Sequence, residues 1–570
     1  MLANPETILE QGQLLLRPPE QVMRLDRMGS MFQTRLSFMR SLIRRMSLEN
    51  WRFERPHFDL NGEGFGAAVY SVSTADRTYS LVAFSNDLDP GARTDRVIAE
   101  AWDATFNLFD GVPTRDDIER LRDNTPRQEA GRFSASELTL ARANKSLRLF
   151  QDVTEWLADG EQPDATRIAQ VGYLMRTTAV YGSGKFGCAD RAKIAGRSEM
   201  RGSFQAEMIT VYLIRLFTID LVEHVARMKG GDRAVRLDPA IRRYLGIGNA
   251  TGLGMAPFLV SHQELLHDWV VAREEALARV RALPHVDADQ IAHLQATTAQ
   301  AQAHISEWRV GDATQSARIV TLEAELPLIA ERLHDVATFS GDFPLDALYR
   351  WGEGQFSLEA QELLVSLLLE PFAELVDDLA EGLATEGGKE SWNPMMPIGE
   401  LRALLSNHYA WALNNDYAAP QESRRFWYYS EEKLEPRLGD RTQEAGEQFE
   451  MPLTSGRDAW LLQRDLDGID DSALVADFVI THPQHRHIVR RVQTAAHCPY
   501  GEINDNVIAD DFRPIDMLRF KLAFFGASKF DPKSDLWTRI VMYQGAPFPD
   551  ELDGPLVDDW IYALKPVVPP

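Results

Sequence analysis

The segment Phe204–Met228, "FQAEMITVYLIRLFTIDLVEHVARM", limits what this chain can fold into. From Met208 to Val222 apolar residues run nearly all the way round a helix, leaving no face suited to water. Such a helix must be enclosed on every side, so the chain has to build a core thick enough to surround one. A length of 570 residues permits that, and by size alone about two to four packed units. No apolar run reaches the roughly 18 residues of a membrane span. The segment also carries Glu207, Tyr212, Arg215 and Asp220. Charges inside a buried helix must be paired, neutralised or wetted by a pocket. A functional site and a structural ion-pair network fit these residues equally well. Glu223, His224 and Arg227 fall in the last turn and are expected to face solvent.

Two glycine-rich stretches flank this helix. "VYGSGKFGCADR", Val180–Arg191, invites a phosphate-loop reading, but Ala179 stands where the first glycine is required and Phe186 follows the lysine. What is left is a loop carrying Tyr181, Lys185 and Arg191, whose cations suit a carboxylate or phosphate. "GIGNATGLGMAPF", Gly246–Phe258, fails the dinucleotide fingerprint because no strand is expected before it and its third position is Thr251. It is expected to be a turn between helices whose N–H groups form an anion nest, with Asn249 and Thr251 adding side-chain hydrogen bonds.

Charge narrows the partners. Acidic residues number 85 against 60 basic ones, a net charge of −25, which disfavours nucleic acid. A local cationic pocket inside an acidic shell is still compatible with it. Residues 24–52 go against the trend, with Arg24, Arg27, Arg35, Arg40, Arg44, Arg45 and Arg52 beside apolar positions at helical spacing. They read as a packing helix paired with the chain's own acids, or as a basic helix docking an anionic surface. Two cysteines, Cys188 and Cys498, exclude a disulfide framework and suggest a reducing cytoplasm. The N-terminus lacks the apolar region of a signal peptide.

The expected class is mainly α within α+β. A small N-terminal α+β unit (1–130) includes a hairpin of "AAVYSVS" and "YSLVAFS" and a helix over "RTDRVIAEAWDATFNLFDG". A large helical core (131–345) starts with a helix capped by Ser134 and Glu137 and includes "RIAQVGYLMRTTAV" as a helix. Its last part holds three long helical segments, the middle one poor in large apolar residues. They are expected to form a helical hairpin arm, with residues 262–336 as a homo-oligomer contact. A mixed C-terminal region (346–570) includes two helices meeting at Pro371 and strand-like "WTRIVMYQG". Lys529 and Lys533 fall on one expected loop. A crowd of amides and aromatics there, with Asn407 and Arg424 among them, suits polar recognition of a small ligand.

Pairs Glu264/His267 and Glu331/His334 have the spacing of di-iron bundles, though no further glutamates are identifiable. The functional expectation is a cytosolic metabolic enzyme acting on a small anionic, carboxylate or amino-acid-like substrate by acid/base chemistry. Glu207, Lys185 and Arg215 would be catalytic, and Tyr181, Arg191, Asn249, Thr251, Asn407 and Arg424 would bind substrate. The alternatives are a non-catalytic helical assembly protein and a di-iron oxidase. No cofactor is named by the sequence, and neither nucleic acid nor membrane is expected as a partner.

Overall fold

Helix Gln205–Gly230 is the axis around which the chain is arranged, and its residues from Gln205 to Arg215 are all buried. The structure is a computed structural model. It describes residues 16–87, 102–125, 134–181, 194, 196–201, 204–252, 263–383, 391–415, 417, 427–429, 436–438, 451–453, 455–504, 515–534, 537–554 and 557–567.

One side of the axial helix meets a nine-stranded mixed sheet. Its strands are β1 (Arg52–Leu60), β2 (Gly66–Ser73), β3 (Thr78–Ser85), β4 (Ala104–Asp110), β5 (Glu137–Lys145), β6 (Tyr173–Tyr181), β7 (Gly246–Gly252), β8 (Ser528–Ser534) and β9 (Trp537–Met542). The order is β1-β2-β3-β4-β5-β6-β7-β9-β8. β1 to β6 form an antiparallel meander, and β7 lies parallel to β6, with the axial helix in the crossover. A parallel neighbour needs such a long connection, and the helix supplies it. The sheet takes strands from 52–110, 137–252 and 528–542, so it runs across the positions near 130 and 345 where the sequence suggests divisions.

The class is α+β, and several local expectations change. The hairpin of β2 and β3 is present, pairing Val69 with Val82. By contrast, Ala104–Asp110, Glu137–Lys145 and residues 173–180, all expected within helices, are strands, and Tyr181, expected on a loop, ends the last of them. Ser134 and Glu137 are hydrogen-bonded as expected, but their contact stands at the start of β5 and not of a helix. Gly246–Gly252 is a strand and not a turn between helices. Glycine there admits close neighbours: a Cβ on Gly248 would lie 2.7 Å from the ring of Tyr173. Lys529 and Lys533 lie on β8 and not on a loop.

The arginine-rich N-terminal segment forms α1 (Phe38–Leu48), packed on its own chain. Arg40 donates to both carboxylate oxygens of Glu370 at 2.7 and 2.8 Å, and Arg35 and Arg44 each reach Asp558 at 3.0 Å. The three long helices are α2 (Gln263–Arg281), α3 (Ala288–Ser306) and α4 (Ala313–His334). α3 and α4 make the antiparallel hairpin, with Leu294, Ala301 and Ile305 buried against Ile319, Leu322 and Leu326. α3 is not a bare arm, because Gln300 donates to Asp559 and His304 meets the carbonyl of Ala563. Helices Leu358–Leu369 and Ala373–Glu381 flank Pro371 as expected. A second core, built from helices between 396 and 495, is tied to α2 through buried Glu502, which accepts from Tyr409 at 2.6 Å and Gln263 at 3.2 Å.

Candidate functional site

Arg215 is fully committed to the scaffold. Its Nε donates to the carbonyl of Leu245 (2.7 Å), Nη1 to Ala546 (2.8 Å) and Nη2 to Arg243 (2.7 Å). Burial pulls its guanidinium down to about 9, against the opposing influence of Tyr212 and Glu551. The group is a brace between the axial helix, the start of β7 and the chain after β9. Glu207 is buried in the first turn of the same helix, about 12 Å along the axis from Arg215 at 1.5 Å per residue. Asn249 donates to Thr177 Oγ1 at 3.0 Å inside the sheet.

The other expected residues do not gather around these. Tyr181 ends β6 and Thr251 lies one residue before the end of the parallel β7; their side chains lie outside the described residues, as do Lys185, Arg191 and Arg424 entirely. Asn407 is exposed on the helix Ile398–His408 of the second core. The two Glu-x-x-His histidines have different surroundings: His267 is buried with its Nδ1 facing the N–H of Tyr500 at 3.2 Å, while His334 is exposed. Among the described residues no group of three or more His, Cys, Asp or Glu could hold a metal ion. Among them, too, no helix is long and apolar enough to cross a membrane.

The structure instead offers a cleft of about 540 Å³ at the opposite end of β6 and β7. Tyr173, which begins β6, and Tyr244, which ends the short helix Pro239–Tyr244 just before β7, form its floor with Ile540 and Val541 of β9. Tyr181 stands about 26 Å away along β6, at about 3.3 Å per residue. One wall is the helix Ala165–Val171, through Thr166 and Gln170. The facing wall is the end of α3 and the turn after it, through His304, Glu307, Trp308 and Arg309. The C-terminal segment crosses at the edge, where Lys565 Nζ donates to Thr166 Oγ1 at 2.9 Å and the carbonyl of Ala563 lies 3.1 Å from His304 Nδ1. Trp308 is fixed by its Nε1–H, which donates to the carbonyl of Phe530 at 3.2 Å.

No match is found among protein-family models, curated proteins or solved structures. The site therefore has to be read from its own chemistry. Four basic side chains border the cleft, Arg148, Arg309, Arg539 and Lys565, against the carboxylates Glu307 and Asp531. Burial pushes the Tyr244 phenol up, and Glu307 adds to the effect, so the hydroxyl stays protonated. The arrangement presents N–H and O–H donors over an aromatic floor. None of these residues was singled out by sequence pattern, since each basic residue comes from a different segment with no motif spacing to mark it.

Proposed function

We propose that the protein is a cytosolic metabolic enzyme that takes a small carboxylate- or phosphate-bearing molecule in this cleft and acts on it by acid/base chemistry. Charge is the observation that carries the reading. Four cations face two carboxylates around one concavity, in a chain whose net charge is −25. Like charges held together repel, and an anion among them relieves that repulsion while accepting their hydrogen bonds. Glu307 and His304 are the titratable groups at hand. A carbonyl only accepts, so the contact with Ala563 places a proton on His304 Nδ1. The cytosolic placement rests on the low cysteine count.

The test is a thermal-shift screen with inorganic phosphate and simple carboxylates, repeated on Arg539→Gln and Lys565→Gln. Stabilisation of the native protein that fades with added salt and in both variants supports the reading. Equal shifts in all three proteins would place the anion elsewhere.

A second reading, assembly through α4, is favoured by one observation. Val320 and Leu328 are 62% and 51% exposed, with exposed Ala324 between them at four-residue spacing, giving an apolar stripe on one helical face. The partner would be a second copy of the chain. Light scattering behind size exclusion decides it: one monomeric mass at every concentration sinks the reading, whereas a dimer lost on Leu328→Glu upholds it.

A further inference from the structure

Beside the cleft lies a recess of about 50 Å³, and His304 and Trp308 line both. Its other walls include Gln33, Arg519, Ser528, Phe530 and Tyr562. That volume admits a group of a few heavy atoms, since a single water needs roughly 10–15 Å³.

Two polar atoms of residues in these walls have no hydrogen-bond partner among the described residues. Tyr562 is 5% exposed, and its hydroxyl finds no hydrogen-bond partner among the described residues. Gln33 Oε1 is also buried without one, while its Nε2 is committed to the carbonyl of Ile561. Folded proteins pair nearly all such atoms, with protein, water or ligand. Burial pushes the Tyr562 phenol up, so it remains a donor at any ordinary pH. Gln33 Oε1 is an acceptor.

The recess differs from the cleft in its charge. Arg519 is matched by Glu359, which accepts from Nη1 at 2.6 Å and Nη2 at 2.5 Å. The guanidinium is further enclosed by the rings of Phe32 at 5.0 Å, Trp308 at 5.7 Å and Phe530 at 5.8 Å. With its arginine paired, the recess shows no surplus side-chain charge among the described residues to attract an ion.

We infer that the recess is a subsite for the uncharged, hydrogen-bonding end of the molecule whose anionic part occupies the cleft. The matching head group both donates and accepts, as a hydroxyl or carboxamide does. It donates to Gln33 Oε1 and accepts from the Tyr562 hydroxyl. The ligand class is therefore a small carboxylate or phosphate with a neutral polar terminus. This rests on the anionic reading of the cleft, and the two can be separated by experiment.

Calorimetric titration with butyrate, pentanoate and hexanoate, each beside its ω-hydroxy form, and with propyl phosphate beside 3-hydroxypropyl phosphate, makes the test. On the native protein at least one hydroxylated probe should bind about tenfold more tightly than its parent. Tyr562→Phe should abolish that gain, leave the parent anion unchanged, and melt no lower than the native protein, because the oxygen it removes has no partner. Parents and hydroxylated probes binding alike, or a gain that survives Tyr562→Phe, overturns the subsite and leaves the cleft reading standing; a recess filled by water alone gives this result. Failure of every probe to bind overturns both.

Discussion

The guanidinium of Arg215 lies 4.0 Å from the ring centroid of Phe548, and each of its three nitrogens donates to a backbone carbonyl. No carboxylate is hydrogen-bonded to it among the described residues, so its charge is balanced by carbonyl dipoles and an aromatic face. Arg215→Ala would leave the carbonyls of Leu245, Arg243 and Ala546 buried without these donors. A loss of about 3–5 kcal/mol is expected, read by urea denaturation. Arg215→Lys should recover little, because an ammonium cannot reproduce the planar fork. In folded Arg215→Lys protein the anion shift should persist, because this residue braces the fold and does not border the cleft.

Glu362 has the opposite circumstance, a carboxylate that shares several buried cations with one neighbouring carboxylate, Glu274. It is fully buried, accepts from Arg17 at 2.6 Å and Arg27 at 2.8 Å, and lies 2.7 Å from Arg273. Burial alone would raise its carboxyl, but Arg17, Arg273 and Arg27 outweigh it and hold the group well below the usual range. Glu362→Gln should cost about 3–5 kcal/mol, since it strands buried guanidinium charge. Exchanging the whole cluster, Glu362 and Glu274 together with Arg17, Arg27 and Arg273, for apolar residues should cost less than that single change, because no buried charge is then left without a partner.

Asp558 couples the C-terminal segment to α1 and gives a pH signature. Burial would raise its carboxyl, yet Arg44, Arg35 and Arg40 hold it down at about 2, below its ordinary value of 3.8. A depressed folded value means the contribution is complete above about pH 4 and is lost as the pH falls through about 2. Native protein and Asp558→Asn should therefore differ most in stability near neutrality and converge in that acid window. A difference that stays constant from neutrality down to pH 2 would sink the assignment.

What the sequence disclosed depended on periodicity. The hairpin of β2 and β3, the helices α2 to α4 and the break at Pro371 carry local patterns that tertiary context did not override. The arginines of α1 were also legible, because so many cations beside apolar positions required acids within reach. β4, β5 and β6 were not, since central strands covered on both faces lose the alternation that marks a half-exposed strand. β7 was hidden by its glycines, which have low strand propensity and take their place here because neighbours crowd them. The cleft had no signal at all. Arg148, Arg309, Arg539 and Lys565 are far apart in sequence and border one cleft only in the folded chain.

Gly248 links that hidden strand to the cleft. The Tyr173 ring, part of the cleft floor, occupies the space a side chain at Gly248 would need, since a methyl group there would lie 2.7 Å from the ring. Gly248→Ala must push the ring upward into the cleft or force β6 from β7, at a cost of about 1–3 kcal/mol. Tyr173→Leu relieves the collision, so the double variant should be more stable than the sum of the two single losses implies. The binding readout separates the two routes. A displaced ring narrows the cleft and should weaken anion stabilisation in Gly248→Ala, with recovery in the double variant. Strand separation would instead lower stability in both and leave the anion response unrelated to residue 173.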